Sequence, residues 1–385
     1  MTDTMQVLFT PSPDLSEFAI QLKQADFQGC ASIIVLACDQ NNWPIQELEH
    51  LLAATRAPVV GGIFPAIAHN SRQFEEGALL LCLPETVEVA HVTDLSDPDA
   101  DYEQQLLTAV DEWRGLHEPG TLIVLVDGLA SRISALVEDL FLVFGLEWPF
   151  AGGGAGSLSF AKKPCIIASD TVVADAALII KLPRLGKIGV THGWKTISDA
   201  MEVTESEQNV IKSLDWQPAF LAYKTLVDKH SPRPIARENF FDIAKSYPLG
   251  LQKIDGSLIV RDPLMVQHEH ELLCVGAVPE GSFVRILNGD SQSLLHAARE
   301  ARRLVSADDP GAPGNLLLFD CISRSLFLGS EIEQELEVLA QGEPSAGAFT
   351  LGEIANSGTD YLEFLNKTTV LVRLCRPHMN SSEGS

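Results

Sequence analysis

The sequence predicts an α/β protein of two domains, built from repeated βαββ units whose mixed sheets carry packed helices. Three observations lead there. An order of strand, helix, glycine-containing strand and closing strand recurs three times along 385 residues. Each recurrence switches from a short apolar run to helical spacing and back. Apolar residues make up 46% of the chain and charged residues 21%, a balance that folds and buries a sizeable core.

The first unit opens with an apolar strand over 31–38. A helix over 45–55 follows, with Leu48, Leu51 and Leu52 at helical spacing, then a glycine strand over 58–64 holding Gly61 and Gly62, and a closing strand over 78–84. The second unit repeats the order. Its strand runs over 121–126 and its helix over 133–144, with Leu136, Leu140 and Phe144 on one side. The run 149–154 carries Gly152, Gly153 and Gly154, and the strand 177–183 closes the unit. The third places a strand over 315–319, a helix over 332–340, Gly347 within 345–349 and a last strand over 368–374. In each unit the first strand and the glycines lie one βα crossover apart, as parallel pairing requires. That order puts Gly61, Gly152 and Gly347 at equivalent places. Between the second and third units, 187–288 is less regular, with a helix over 218–227, a Pro-rich loop at 231–234 and a hairpin-like pair over 257–287. A boundary near 215 divides the chain into domains 1–215 and 216–376, with 377–385 a disordered tail.

Fifty-two acidic against 27 basic residues give a formal net charge of −25. Such a surface repels phosphate backbones and anionic lipid, so no nucleic acid and no membrane insertion are expected. No basic, apolar signal segment opens the chain, and its apolar runs are strand-sized. Seven cysteines form no Cys-x-x-Cys pair. Free thiols in or beside apolar runs fit a soluble protein of the reducing cytoplasm.

Several residues invite a chemical reading. The run 151–157, Ala-Gly-Gly-Gly-Ala-Gly-Ser, lacks the Lys-Ser or Lys-Thr of a phosphate loop and the third glycine of a dinucleotide fingerprint. It reads as close strand packing or as the wall of a ligand cleft, with Gly153 at its centre. Cys321 follows a buried-type strand and precedes a helix, where a ligand site in an α/β fold belongs. A helix N-terminus and Arg324 beside it would lower its thiol pKa, so an enzyme with Cys321 as nucleophile and His268 or His270 as base stands as an alternative. His268 and His270 alternate as on one face of a strand, yet no third metal ligand accompanies them. His192, beside Trp194, reads as a hydrogen-bonded structural histidine or as a contact to ligand or haem. No Gly-x-Ser-x-Gly and no His-Glu-x-x-His occurs.

Read together, Asp255-Gly256-Ser257, Val260-Arg261-Asp262-Pro263, Val278-Pro279-Glu280-Gly281, Cys321-Ile322-Ser323-Arg324, the run 347–354 and Leu365-Asn366-Lys367-Thr368 resemble the FIST C-terminal domain. Residues 151–157 and 189–194 are similar to the FIST N-terminal domain. The resemblance implies a sensory protein that binds small ligands such as amino acids, with haem-dependent nitric oxide sensing known among bacterial members. FIST proteins often carry an output domain or an F-box, and this chain has room for neither. A stand-alone cytoplasmic sensor is therefore expected, binding a small anionic ligand, an amino acid or organic acid, and signalling through a separate partner protein. Arg261 and Arg324 are the expected partners of the anion, because a guanidinium matches a carboxylate in two-pronged fashion. The resemblance adds Cys321, Glu353 and Asn366 as further contacts. A haem would be non-covalent, with His192 as axial candidate, since no Cys-x-x-Cys-His occurs.

Overall fold

A computed structural model describes residues 5–111, 113, 118, 120–306, 315–356 and 360–375. The first unit runs β1 (Gln6–Thr10), α1 (Leu15–Gln28), β2 (Ser32–Cys38), α2 (Ile45–Ala53), β3 (Val59–Phe64), β4 (Ala66–His69), β5 (Arg72–Phe74) and β6 (Ala78–Leu83). Every residue of β2, β3 and β6 is buried, as their unbroken apolar runs require of strands covered on both faces. Helix α1 buries Phe18, Leu22 and Ala25 at helical spacing and stops at Gly29, whose φ of 74° is left-handed.

The second unit repeats this as β7 (Glu88–Val92), α3 (Tyr102–Val110), β8 (Thr121–Asp127), α4 (Ile133–Phe144), β9 (Phe150–Ala155), β10 (Ile166–Ala168), β11 (Thr171–Val173) and β12 (Ala177–Leu182). The third begins at β13 (Leu185–Thr191) and is then interrupted. The insert comprises β14 (Lys195–Thr196), β15 (Met201–Glu207), β16 (Val210–Leu214), β17 (Gln217–Pro218), α5 (Ala219–Val227), α6 (Phe240–Ala244), β18 (Leu249–Gln252), β19 (Leu258–Gln267), β20 (Glu271–Val275) and β21 (Phe283–Asn288). Strand β18 pairs with both β19 and β21, so the insert's sheet closes on itself. The third unit resumes with α7 (Ser291–Ser306), β22 (Asn315–Cys321), α8 (Ile322–Leu328), α9 (Ile332–Ala340), β23 (Ser345–Thr350), β24 (Glu353–Ala355), β25 (Glu363–Leu365) and β26 (Thr369–Cys375).

The three units share one pairing scheme. β2, β8 and β22 pair in parallel with β3, β9 and β23 and antiparallel with β6, β12 and β26. β1, β7 and β13 add to the outer side of the closing strands. The expected mixed-sheet βαββ repeat is therefore present, with an additional strand and helix before each copy. The short hairpins are exchanged. β4–β5 joins the third unit through β23, β10–β11 joins the first through β3, and β24–β25 joins the second through β9. Each unit gives one hairpin and receives one, so the exchange closes into a ring.

The expected division at 215 falls inside the insert's sheet, between β16 and β17, and strand pairing crosses it: β13 on its N-terminal side pairs along its whole length with β26 near the C-terminus. The reason is the interruption: the third unit starts before the insert and finishes after it. The tail 377–385 lies outside the described residues. Among the described residues no helix is long and apolar enough to cross a membrane.

Gly61, Gly152 and Gly347 do occupy equivalent places, opposite Val35, Val124 and Leu318 in the parallel pairs. A Cβ there would stand 2.0, 1.9 and 2.1 Å from the carbonyl oxygens of those three residues. The backbones approach closer than any side chain allows. Gly152→Ala and Gly347→Ala should each cost at least about 2 kcal/mol of unfolding free energy, in the range of core overpacking. Urea titration followed by circular dichroism checks this, and a loss under about 0.5 kcal/mol would contradict it.

Candidate functional site

A cavity of about 630 Å³ opens where the second unit, the third unit and the insert meet. Residues 128–135, the β8–α4 turn and the start of α4, form one wall. Cys321, Ile322, Ser323 and Leu326, at the end of β22 and along α8, form the second. Both walls lie at carboxyl ends of parallel-paired strands, where the chain must turn from strand to helix and leaves a crevice. The insert closes the third side with β19, β20 and the β15–β16 turn. The β24–β25 hairpin brings Leu351, Gly352, Phe364 and Asn366.

Two polar residues of this lining, Asp262 and Asn366, are buried. Asp262, 1% exposed, lies 3.2 Å from Lys367 Nζ through Oδ2, and the same oxygen accepts a 2.7 Å hydrogen bond from Ser323. Its Oδ1 has no partner. Asn366, also 1% exposed, donates Nδ2 to the Leu365 carbonyl at 2.9 Å, which fixes the amide orientation and leaves Oδ1 unpartnered. A buried acceptor left unmade costs about 1–3 kcal/mol. Both residues border the cavity, while these two oxygens are themselves sealed from it.

Of the residues singled out from sequence, the structure brings Cys321 and Asn366 to the cavity and keeps Arg261, Arg324, Glu353, His192 and Gly153 out of its lining. Arg261 precedes Asp262 on β19, and successive strand residues point to opposite faces. Its guanidinium donates to the carbonyls of Ala277, Val260 and Phe364. Burial pulls it down to about 10. Arg324 is wholly buried beneath α8. It is hydrogen-bonded to Glu335, lies 3.3 Å from Asp320, and donates to the carbonyls of His192 and Lys367. Burial opposes its charge, but Glu335 and Asp320 outweigh that and raise it. The anion partners expected from sequence are thus engaged inside the protein, because a buried guanidinium needs acceptors and these carbonyls and carboxylates supply them.

Glu353 accepts from Thr350 Oγ1 at 2.7 Å and from the Thr368 amide at 3.2 Å, and burial pushes it well above the usual carboxylate range. Gly153 faces Glu353 in the exchanged pairing, and a Cβ on it would meet the Gly352 carbonyl at 2.5 Å. Its role is to let the third unit's hairpin dock. His192 Nδ1 accepts from the Trp194 amide at 3.0 Å, and burial with Arg324 pulls its pKa down to about 4.

No histidine lines the cavity among the described residues, so its donor set does not fit a histidine-ligated haem. His268 and His270 do not share a strand face. With Glu269 they form the turn between β19 and β20, His268 at a φ of 44°, and neither lines the cavity that Cys321 lines. No cluster of three or more metal-ligating side chains occurs among the described residues. Burial, then Glu353 and Asp262, push the Cys321 thiol up, the reverse of what a nucleophile needs. The alternation of β19 was the signal that turns the aspartate, and not the arginine, toward the site.

A ring of three hairpin-exchanging βαββ units with an inserted closed sheet, and a crevice where they meet, defines the class of protein. The chain belongs to the FIST family: the FIST N domain matches residues 32–217 and the FIST C domain residues 219–356. The junction between the two matches falls in the insert that walls the cavity. Over 214 residues the chain is 24% identical to an uncharacterized protein of Methanocaldococcus jannaschii, a match over 52% of this chain and 41% of that protein. The chain thus spans about two fifths of that relative's length. FIST domains are associated with sensory roles in signal transduction.

Two outcomes follow. Arg324→Met, which leaves Asp320 and Glu335 buried without their cation, should lose about 3–5 kcal/mol in urea unfolding. A loss below about 1 kcal/mol would free Arg324 for a ligand role. Iodoacetamide at pH 8.5 should alkylate the half-buried Cys30 and Cys375 well before Cys321, read by peptide mass spectrometry. Preferential labelling of Cys321 would restore the enzyme alternative.

Proposed function

We propose that this FIST protein is a sensor that binds a small ligand in the junction cavity and passes its occupancy to a separate partner protein. One observation carries the reading. A largely apolar cavity of about 630 Å³ draws its walls from both family regions and is bordered by the buried polar residues Asp262 and Asn366. Its size is that of ordinary ligand sites, which are mostly apolar with a few placed polar groups. A ligand there touches the second unit, the third unit and the insert together, so binding stabilises one arrangement of the three, and a partner that reads that arrangement reads the ligand. Seven free cysteines, five of them buried, and the acidic surface support a cytoplasmic setting.

The test is a thermal-shift screen of small molecules against the wild type and an Ala135→Trp variant, which fills the cavity from the first turn of α4. A ligand at a hundredfold excess over its Kd stabilises by about 2.7 kcal/mol, a shift of several degrees. Hits should lose their effect in the variant. Hits that shift both proteins equally would place binding elsewhere and refute the reading.

A further inference from the structure

We propose that the ligand is a hydrocarbon-bodied molecule, a chain or ring system of on the order of twenty non-hydrogen atoms, that enters the cavity past the 157–164 loop and α8. This rests on the cavity reading above and puts a larger, more apolar ligand where the sequence led us to expect a free amino acid or organic acid.

Size is the first reason. A volume of 630 Å³ is roughly twenty water molecules' share of liquid, and a free amino acid fills about half of it. The remaining wall, with Ile133, Leu273, Leu351 and Phe364 in it, would stay wet. Covering such a wall is worth roughly three- to fourfold in affinity for each methylene buried.

The opening is the second reason. Leu158, Phe160 and Leu326 all line the cavity, yet they are 39%, 52% and 39% exposed. Large apolar side chains open to water are ordinary when scattered singly, whereas three gathered on one cavity form a patch of the kind that meets a ligand. Phe160 is also held at a φ of 54°, a left-handed backbone that bulky residues rarely adopt. The loop keeps it there with its own turns. The Phe160 amide donates to the Ser157 carbonyl at 3.1 Å, and the Ser159 and Ala161 amides donate to the hydroxyls of Ser157 and Ser159. Lys163, 2.5 Å from Asp39, moors the far end to the first unit. Glycine would take this backbone without strain. An aromatic ring that costs the loop free energy and stays half in water gives the fold little, but an apolar ligand in the opening gives it a partner.

The buried polar residues at the border leave the head group open. Asp262 is paired with Lys367, and the unpartnered oxygens of Asp262 and Asn366 are sealed from the space. The ligand's body therefore carries the affinity.

The experiment compares 1-hexanol, 1-octanol and 1-decanol with leucine, phenylalanine and glutamate, by isothermal titration calorimetry on the full chain. Each step of two methylenes should tighten binding at least tenfold, and decanol should bind at least a hundredfold more tightly than any of the amino acids. Phe160→Gly, which suits the backbone and removes the ring, should weaken decanol at least fivefold without lowering the urea midpoint. Ala135→Trp should weaken it at least tenfold. The wild-type ranking and Phe160→Gly keep the test standing if Ala135→Trp fails to fold. An amino acid binding as tightly as decanol, and lost in Ala135→Trp, keeps the cavity and overturns the hydrocarbon ligand. Affinity that does not rise with chain length, or no binding by any alcohol, overturns it as well. Phe160→Gly that binds decanol like the wild type overturns the entry past the loop. Chain-length dependence that Ala135→Trp leaves unchanged removes the cavity reading itself.

Discussion

The fold turns on a close approach of backbones. In each unit the glycine strand, β3, β9 or β23, runs so near its parallel partner that a Cβ would overlap a carbonyl oxygen. β3, β9 and β23 touch one another, so these strands form the centre around which the units pack. Gly62 lies in this packing too, where an added Cβ would sit 3.2 Å from Ala155 Cβ. Bulk here would push the units apart, and the hairpin exchange across their boundaries would fail with them. Strand pairing across every boundary then makes the ring a single cooperative body, although its repeats are separate in sequence.

The exchange also builds the site. β24 leaves the third unit to pair with β9 of the second, and the backbone amide of Gly154 donates to the Gly352 carbonyl across that seam at 2.8 Å. The hairpin so fixed delivers Phe364 and Asn366 to a cavity whose other walls come from α4, α8 and the insert. A repeat placed among its neighbours in this way leaves a crevice at strand ends.

Much of the core was legible in the sequence because burial on both faces leaves unbroken apolar runs. β2, β8 and β22, the glycine strands and α4 fall where composition and periodicity place them, and Cys321 does precede a helix. The ring was not legible. β4, β10 and β24 are strands of three or four residues whose partners lie in another unit, and nothing local reports a partner more than a hundred residues away. The first strands of the units escaped for a related reason: β1 and β7 are edge strands, only partly buried, with mixed polarity. At the site, motif residues were recognisable, but their direction was not. Arg261 and Asp262 are neighbours in one motif, and which of them meets a ligand depends on strand phase, fixed by the pairing of Leu249 with Arg261 and of Asp262 with Val275.

The inward arginines have a structural logic of their own. Arg324 joins β22 through Asp320, α9 through Glu335, and the chain near β13 and β26 through the carbonyls of His192 and Lys367. Those are pieces of the third unit that the insert separates by about a hundred residues of sequence. A buried cation with several fixed acceptors tolerates little displacement, because each lost contact exposes charge to a low-dielectric interior. Lys367 extends the same network to Asp262 and to Lys245 beyond α6 of the insert. The polar skeleton thus runs from the core of the third unit to the cavity wall. Lys367 is thereby the lysine that ties the insert to the ring at the cavity wall.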